Sequence, residues 1–291
     1  MINNMIRSFV MVHQTKKKIL FLSVLAVALV VALVTLTLHL LSINKTDDGK
    51  LLPVLGSINV RENDSFSLSF DFLTNNGSNI EFLSQTDNLK ITADAENFEV
   101  LNYTVEISSG GNPYIYAFHA SCRVQGMDPI ELHKLTIQTK TAKYTYDLGK
   151  IKIVPYKQPQ ETDHMKLMSN RAGNTKAGIG GYDAEYTNEG IEPAVIKQIA
   201  IDSDFQAFHP QVYLNDQLIS DPQNINFSVP PKESVKLLIQ FQKKDSPYEI
   251  FYFSPTIILE SSTELRCPYV ISGALLEQKN IQNLYQKYLK S

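Results

Sequence analysis

Tryptophan is absent from this 291-residue chain, and there are only two cysteines, Cys122 and Cys267. So few cysteines exclude a small fold stapled by disulfides. The six histidines lack zinc-type spacing such as HExxH. No GxSxG or SxxK motif nominates a serine nucleophile. The glycine-rich stretch Gly173–Gly181 lacks both the Gly-Lys-Ser/Thr of a P-loop and the third glycine of a dinucleotide-binding turn. It reads as a loop ahead of a strand. Nor is there an excess of basic residues: the net charge is -3, which argues against a nucleic-acid partner, since that needs a concentrated basic face. Long helical patterns between the strands are also missing, and this excludes a parallel βαβ fold. The expectation is a chain with no catalytic residues, no cofactor and no metal.

Against these absences stands one long hydrophobic run. Ile19 to Leu41 is uncharged over about 23 residues, or roughly 34 Å as a helix, enough to cross a hydrocarbon core of about 30 Å. Arg7, Lys16, Lys17 and Lys18 precede it without any acid, whereas Lys45 and Lys50 after it are mixed with Asp47 and Asp48. The positive-inside rule then predicts a cytoplasmic N-terminus and an extracytoplasmic remainder. A cleaved signal peptide is the competing reading. Its apolar region would be about 7–15 residues and would end in small residues, unlike Leu38-His39-Leu40-Leu41-Ser42. His39, near the outer end of the run, reads as a headgroup-level side chain.

The expected organisation is a cytoplasmic tail (1–18), a transmembrane helix (19–42), a short stalk (43–53), a first β-sandwich (54–155), a linker (156–175), a second β-sandwich (176–273) and a C-terminal amphipathic helix (274–291). The tail is too short for a domain. Ser42–Pro53, fully extended, reaches about 40 Å, so a partner is expected in or near the membrane. A content of 43% hydrophobic and 20% charged residues excludes disorder and supports real cores.

Period-two alternation carries the β reading. Phe66, Leu68, Phe70 and Phe72 alternate with Ser65, Ser67, Ser69 and Asp71. Phe98 and Val100 are followed by a one-residue slip at Leu101 before Tyr103, Val105 and Ile107, the mark of a β-bulge. Tyr114 to Val124 forms a long strand with Cys122 in its apolar phase. A hairpin is expected around Thr139-Lys140-Thr141. In the 156–175 stretch, polar residues form a linker, or a linker running into a strand at Met165–Met168. Alternation returns at Tyr182–Thr187, Val195–Ile201, Val212–Leu214 and Val235–Phe241, then at Ile250–Leu259 and Leu265–Ile271.

Two short matches in the same order predict a duplication. Thr74-Asn-Asn-Gly77 matches Thr187-Asn-Glu-Gly190, and Glu131–Gln138 matches Glu233–Gln240. The second block, through Tyr186-Thr-Asn188-Glu-Gly190 with Pro193, Ile196 and Ile199, and then Val229-Pro-Pro-Lys-Glu-Ser-Val235, resembles bacterial immunoglobulin-like domains. That resemblance implies antiparallel sandwiches in which the first motif ends a strand and the second is the corner entering a core strand. It implies binding or spacing rather than chemistry.

Near the C-terminus, Ile281, Leu284, Tyr285, Tyr288 and Leu289 share one helical face. Either the helix docks on its own domain, covering a sheet edge, or the face receives a partner. Cys122 and Cys267 are read as two buried thiols, with a bridge between the domains as the alternative. Asp163-His164 and Asp202-x-Asp204 are the weak metal candidates. The expected function is a membrane-anchored extracytoplasmic interaction module, an accessory subunit of a membrane or envelope complex. It would contact the bilayer through residues 19–42 and a protein near the membrane. The alternatives are an envelope hydrolase with an unrecognised site and a carbohydrate-binding sandwich with a tyrosine platform.

Overall fold

The computed structural model describes residues 49–74, 82, 89–109, 114–157, 165–173, 181–242, 246–273 and 278–289. The tail, the apolar run and residues 43–48 of the stalk expected at 43–53 therefore lie outside the described residues. No helix among the described residues is long and apolar enough to cross a membrane. Asp48–Ser291 forms one compact unit, mainly β with a short C-terminal helix.

Four sheets build it. Sheet 1 runs in the order β1 (Lys50–Leu51), β3 (Ser65–Thr74), β6 (Tyr114–Val124), β5 (Phe98–Ser109). Sheet 2 has the order β19 (Val270–Gly273), β16 (Ile250–Phe253), β2 (Val54–Arg61), β8 (Lys143–Tyr156), β7 (Ile130–Gln138), β4 (Lys90–Ala93). Sheet 3 is β13 (Gln217–Ile219), β12 (Pro210–Leu214), β15 (Ser234–Phe241), β10 (Gly181–Asn188), β9 (Met165–Gly173). Sheet 4 is β14 (Phe227–Val229), β11 (Ala194–Ala200), β17 (Thr256–Leu259), β18 (Glu264–Arg266). Helices α1 (Ser203–Gln206) and α2 (Gln278–Tyr288) and the helical residue Phe82, buried in the first core, complete the described residues.

Local readings hold where the alternation is strong. Phe66, Leu68, Phe70 and Phe72 are all buried, as are Cys122, Ala120, Phe118 and Tyr116 opposite them. The register of β5 against β6 shifts between Val100 and Asn102, so the slip at Leu101 is a bulge. The β7–β8 hairpin closes at Thr139–Ala142. The strand begun at Met165 extends to Gly173 as β9.

The antiparallel expectation needs correction at the centre of the molecule. β2 pairs parallel with β8 on one side and parallel with β16 on the other. Parallel neighbours need a long crossover, and here the intervening chain supplies it. The pairing starts where Val54 meets Gly149, whose φ of +92° and close approach to the Val54 carbonyl leave no room for a Cβ.

β16 therefore has two buried faces. Ile250 and Tyr252 enter the core between sheets 1 and 2, while Phe251 and Phe253 enter the core shared by sheets 3 and 4. β2 does the same, with Val54, Ile58 and Val60 on one side and Leu55 on the other. In the second core Phe253 packs against Phe205 of α1 at 4.9 Å and Phe241 at 5.1 Å between ring centroids. Edge-to-face and tilted packing of this kind adds to plain area burial.

The last strands also close the first sheet. β1 pairs with β3 at Phe72 and Leu73, and the Leu52 N–H reaches the Asp71 carbonyl at 2.8 Å, but no strand continues along that edge toward Ser65 among the described residues. Tyr269 receives the Ser67 N–H (3.0 Å) and donates to the Ser67 carbonyl (2.7 Å). Tyr252 treats Ser69 in the same way, donating to its carbonyl at 2.8 Å. Two hydroxyls thus stand in for a missing edge strand.

The expected duplication is not followed by the strand pairing. β10 and β15, which carry the second copies of the two motifs, are hydrogen-bonded neighbours. β3 and β7, which carry the first copies, lie in different sheets. A polar turn after a strand and an amphipathic strand with a Glu-x-x-Lys start recur in any sandwich, and that is what the matches report.

The two motifs of the second block meet at Asn188. Its side chain is fully buried; Nδ2 donates to the Glu192 (2.8 Å) and Val229 (2.9 Å) carbonyls, and Oδ1 receives the Gly190 N–H (2.9 Å). Its backbone N–H donates to Glu233 and its carbonyl receives the Lys232 N–H. Strand end and corner are locked together there.

Candidate functional site

Alternation in β10 sends Tyr182, Ala184 and Tyr186 into the core and leaves Asp183, Glu185 and Thr187 on the outer face of sheet 3. The same rule places Lys236, Leu238 and Gln240 of β15 and Gln211 and Tyr213 of β12 outward. Register then aligns them. Leu218 sits opposite Tyr213, Tyr213 opposite Leu238, Leu238 opposite Asp183, and Asp183 opposite Arg171. One row across five strands thus runs from apolar to charged.

The charged end holds a groove of about 400 Å³ lined by Ser169, Asn170, Arg171, Asp183, Glu185 and Lys236. Arg171 grips Asp183 through both Nε (2.9 Å) and Nη2 (2.8 Å), and Lys236 approaches the other carboxylate oxygen at 3.8 Å. The Asp183 side chain is only 12% exposed, while that of Arg171 is 76% exposed. At the apolar end, the Tyr213 hydroxyl donates to Gln211 Oε1 (2.9 Å), which also receives Gln242 Nε2 (2.9 Å). Gln211 lies two residues back on the same face, so the tyrosine ring leans along the strand. The groove brings two cations, Arg171 and Lys236, against two carboxylates, Asp183 and Glu185, with Asn170 and Ser169 beside them, a set that can pair charges and hydrogen-bond a ligand. Sequence reading missed this row. Its one signal was Tyr213, an aromatic in the outward phase between buried Val212 and Leu214.

The helix face singled out from sequence is engaged with the chain itself at the residues whose side chains are described. Leu284 is 4% exposed and joins the first core, and Tyr288 and Leu289 pack against that core. The Tyr288 hydroxyl and Lys287 Nζ both bond Glu249 Oε1, at 2.9 and 2.6 Å. Leu284, Tyr288 and Leu289 thus pack on the chain's own first core, as in the first of the two alternatives, with Tyr288 and Leu289 half-buried. The side chains of Ile281 and Tyr285 lie outside the described residues.

Asp202 and Asp204, the weak metal candidates, are each paired with a lysine. Asp202 bonds Lys152 at 2.8 Å and caps α1 by accepting from the Asp204 N–H; Asp204 bonds Lys150 at 2.7 Å. Burial pushes the Asp202 carboxyl up, but the bonds from Lys152 and the Asp204 amide outweigh it and hold the group below the usual range. The Asp204 bond holds Lys150 above its usual value. These pairs tie β8 to α1. No cluster of His, Cys, Asp and Glu able to hold a metal occurs among the described residues.

Of the histidines, His119 Nδ1 hydrogen-bonds Ser69 Oγ at 2.7 Å on an open sheet face. His133 Nδ1 contacts the Gly149 carbonyl at 3.2 Å, a strand contact. His13, His39 and His164, with Asp163 and most of the glycine-rich loop, lie outside the described residues. Cys122 and Cys267 are free, buried and in different cores, so the bridge does not form. Burial pushes their thiols up to about 12 and about 11.

No protein-family model matches the chain, and no curated protein does. Among solved structures it is similar to the secreted serine protease VesC from Vibrio cholerae, with 12% identity over 73% of this chain and 49% of that one, at a TM-score of 0.21. The C-terminal domain of the Streptococcus agalactiae antigen I/II polypeptide BspA matches at 9% identity over 77% of this chain and 99% of that one, TM-score 0.20. The Escherichia coli adhesin FdeC matches at 7% identity over 79% and 64%, TM-score 0.22. At such TM-scores the backbones do not superpose as one fold.

Proposed function

We propose that the protein is a non-enzymatic, bitopic interaction module, anchored by residues 19–42 with its N-terminus in the cytoplasm and its β unit outside the membrane. The uncharged run of about 23 residues from Ile19 to Leu41, preceded by basic residues only, carries this reading. Support for the non-enzymatic part comes from the weak metal candidates in the described residues and from the two thiols. Asp202 and Asp204 tie β8 to α1, and both cysteines fill cores. Within this reading the protein serves as an accessory subunit of a membrane or envelope complex, held near the bilayer by the short stalk.

The test is photo-crosslinking in intact cells from a probe residue placed at exposed Gln282 in the full-length chain. A single recurring membrane or envelope protein is the expected product. Crosslinks scattered over many proteins refute the accessory-subunit role, and release of the chain from membranes by alkaline carbonate refutes the anchor.

A further inference from the structure

We propose that the outer face of sheet 3 binds a neutral glycan chain built of gluco-type sugars, whose equatorial hydroxyls leave flat C–H faces. This goes beyond the interaction-module reading and does not depend on it. Three features converge on that ligand class. The first is Tyr213, whose ring leans along β12 because its hydroxyl is tied to Gln211. Leu218, 53% exposed, and Leu238 flank it in register. This is an apolar strip with polar borders, the arrangement a sugar face requires. The second is the tether itself. Gln242 holds Gln211, which holds Tyr213, so the ring is set before the ligand arrives and little ordering cost remains.

The third feature is the balance of the charged end. Arg171 and Lys236 face Asp183 and Glu185, two charges of each sign. Such a set offers donors and acceptors to hydroxyl groups without favouring a charged polymer, which would need one sign in excess. Size also discriminates. The row crosses five strands, about 19 Å at a strand spacing of about 4.8 Å. With the outward positions from Gly181 to Thr187, the face covers roughly 400 Å², about half of what each partner buries in a standard protein interface. A linear chain laid along the row fits the strip better than a globular partner does.

The test uses the full-length chain in nanodiscs, titrated calorimetrically with cellotetraose and with chitotetraose. Binding of at least one is expected. Tyr213→Ala should weaken it about 10-fold, the equivalent of one lost aromatic contact, and Tyr213→Phe, which keeps the ring but loses the tether to Gln211, should weaken it less, by about 3-fold. Leu218→Ser, at an exposed position where folding is not at risk, should also weaken binding. Ile191→Ser, on a turn away from the row, should not. Failure of the native chain to bind either sugar overturns the proposal. So does binding that Tyr213→Ala and Leu218→Ser leave intact while thermal melts show both variants folded. A protein crosslinked from Leu218 in a chain that binds neither sugar makes this face a protein-docking surface instead.

Discussion

Asn188→Ala should be among the most damaging single substitutions outside the two cores. The side chain satisfies three backbone groups: the Val229 and Glu192 carbonyls and the Gly190 N–H. Glu192 is exposed and its carbonyl can turn to water, but Val229 and Gly190 are buried. Alanine therefore strands about two buried polar groups, each costing about 1–3 kcal/mol, or about 4 kcal/mol together. For a unit of this size each kcal/mol moves the melting temperature by about 2–4 °C, so a drop of about 8–16 °C is expected. Asn188→Asp should be no milder, because it sets a second oxygen against two carbonyls. The assay is thermal unfolding of the full-length chain followed by circular dichroism in the β region. A drop below about 3 °C would refute the idea that Asn188 joins strand end to corner. It would mean that the β10–β15 ladder suffices.

Two further outcomes follow from buried groups. Asp71 is 9% exposed, and burial pushes its carboxyl from the usual 3.8 to about 6. The folded state thus holds the proton more tightly than the unfolded chain, so this group's contribution is complete below about pH 4 and is lost as pH rises through about 6. Asp71→Asn should raise the melting temperature at pH 7.5, by the equivalent of about 3 kcal/mol at most, and change little at pH 4. An equal effect at both pH values would contradict the assignment. Cys122 and Cys267, with thiols pushed up to about 12 and about 11, should resist maleimide at pH 7.5 in the native chain. Both should label after unfolding without reductant; labelling of neither would reveal a bridge.

What sequence makes legible here is local. The slip at Leu101 breaks the phase of a strand, and a bulge is its only cheap solution. The turn at Thr139 and the corner at Pro230 are written in the residues that make them. Partnership between distant strands is not written that way. Ile250-Phe251-Tyr252-Phe253 is apolar at every position, which says that both faces are covered but not that β2 lies alongside. The periodicity of α2 gives its apolar face, yet the surface that face covers depends on where β16 and β19 leave the first core open. The Leu218–Arg171 row needs the registers of four strand pairs at once, and a slip of one residue in any of them would dissolve it.

The placement of β2 between β8 and β16 also sets a timetable. β2 ends at Arg61, but the strand that covers its second edge ends at Phe253, about 190 residues later. At roughly 5–20 residues per second of synthesis, that edge waits roughly 10–40 s for its neighbour. Until then the unpaired edge of β2 is a site for mispairing, so biogenesis rather than equilibrium stability becomes the step at which this fold is most easily lost.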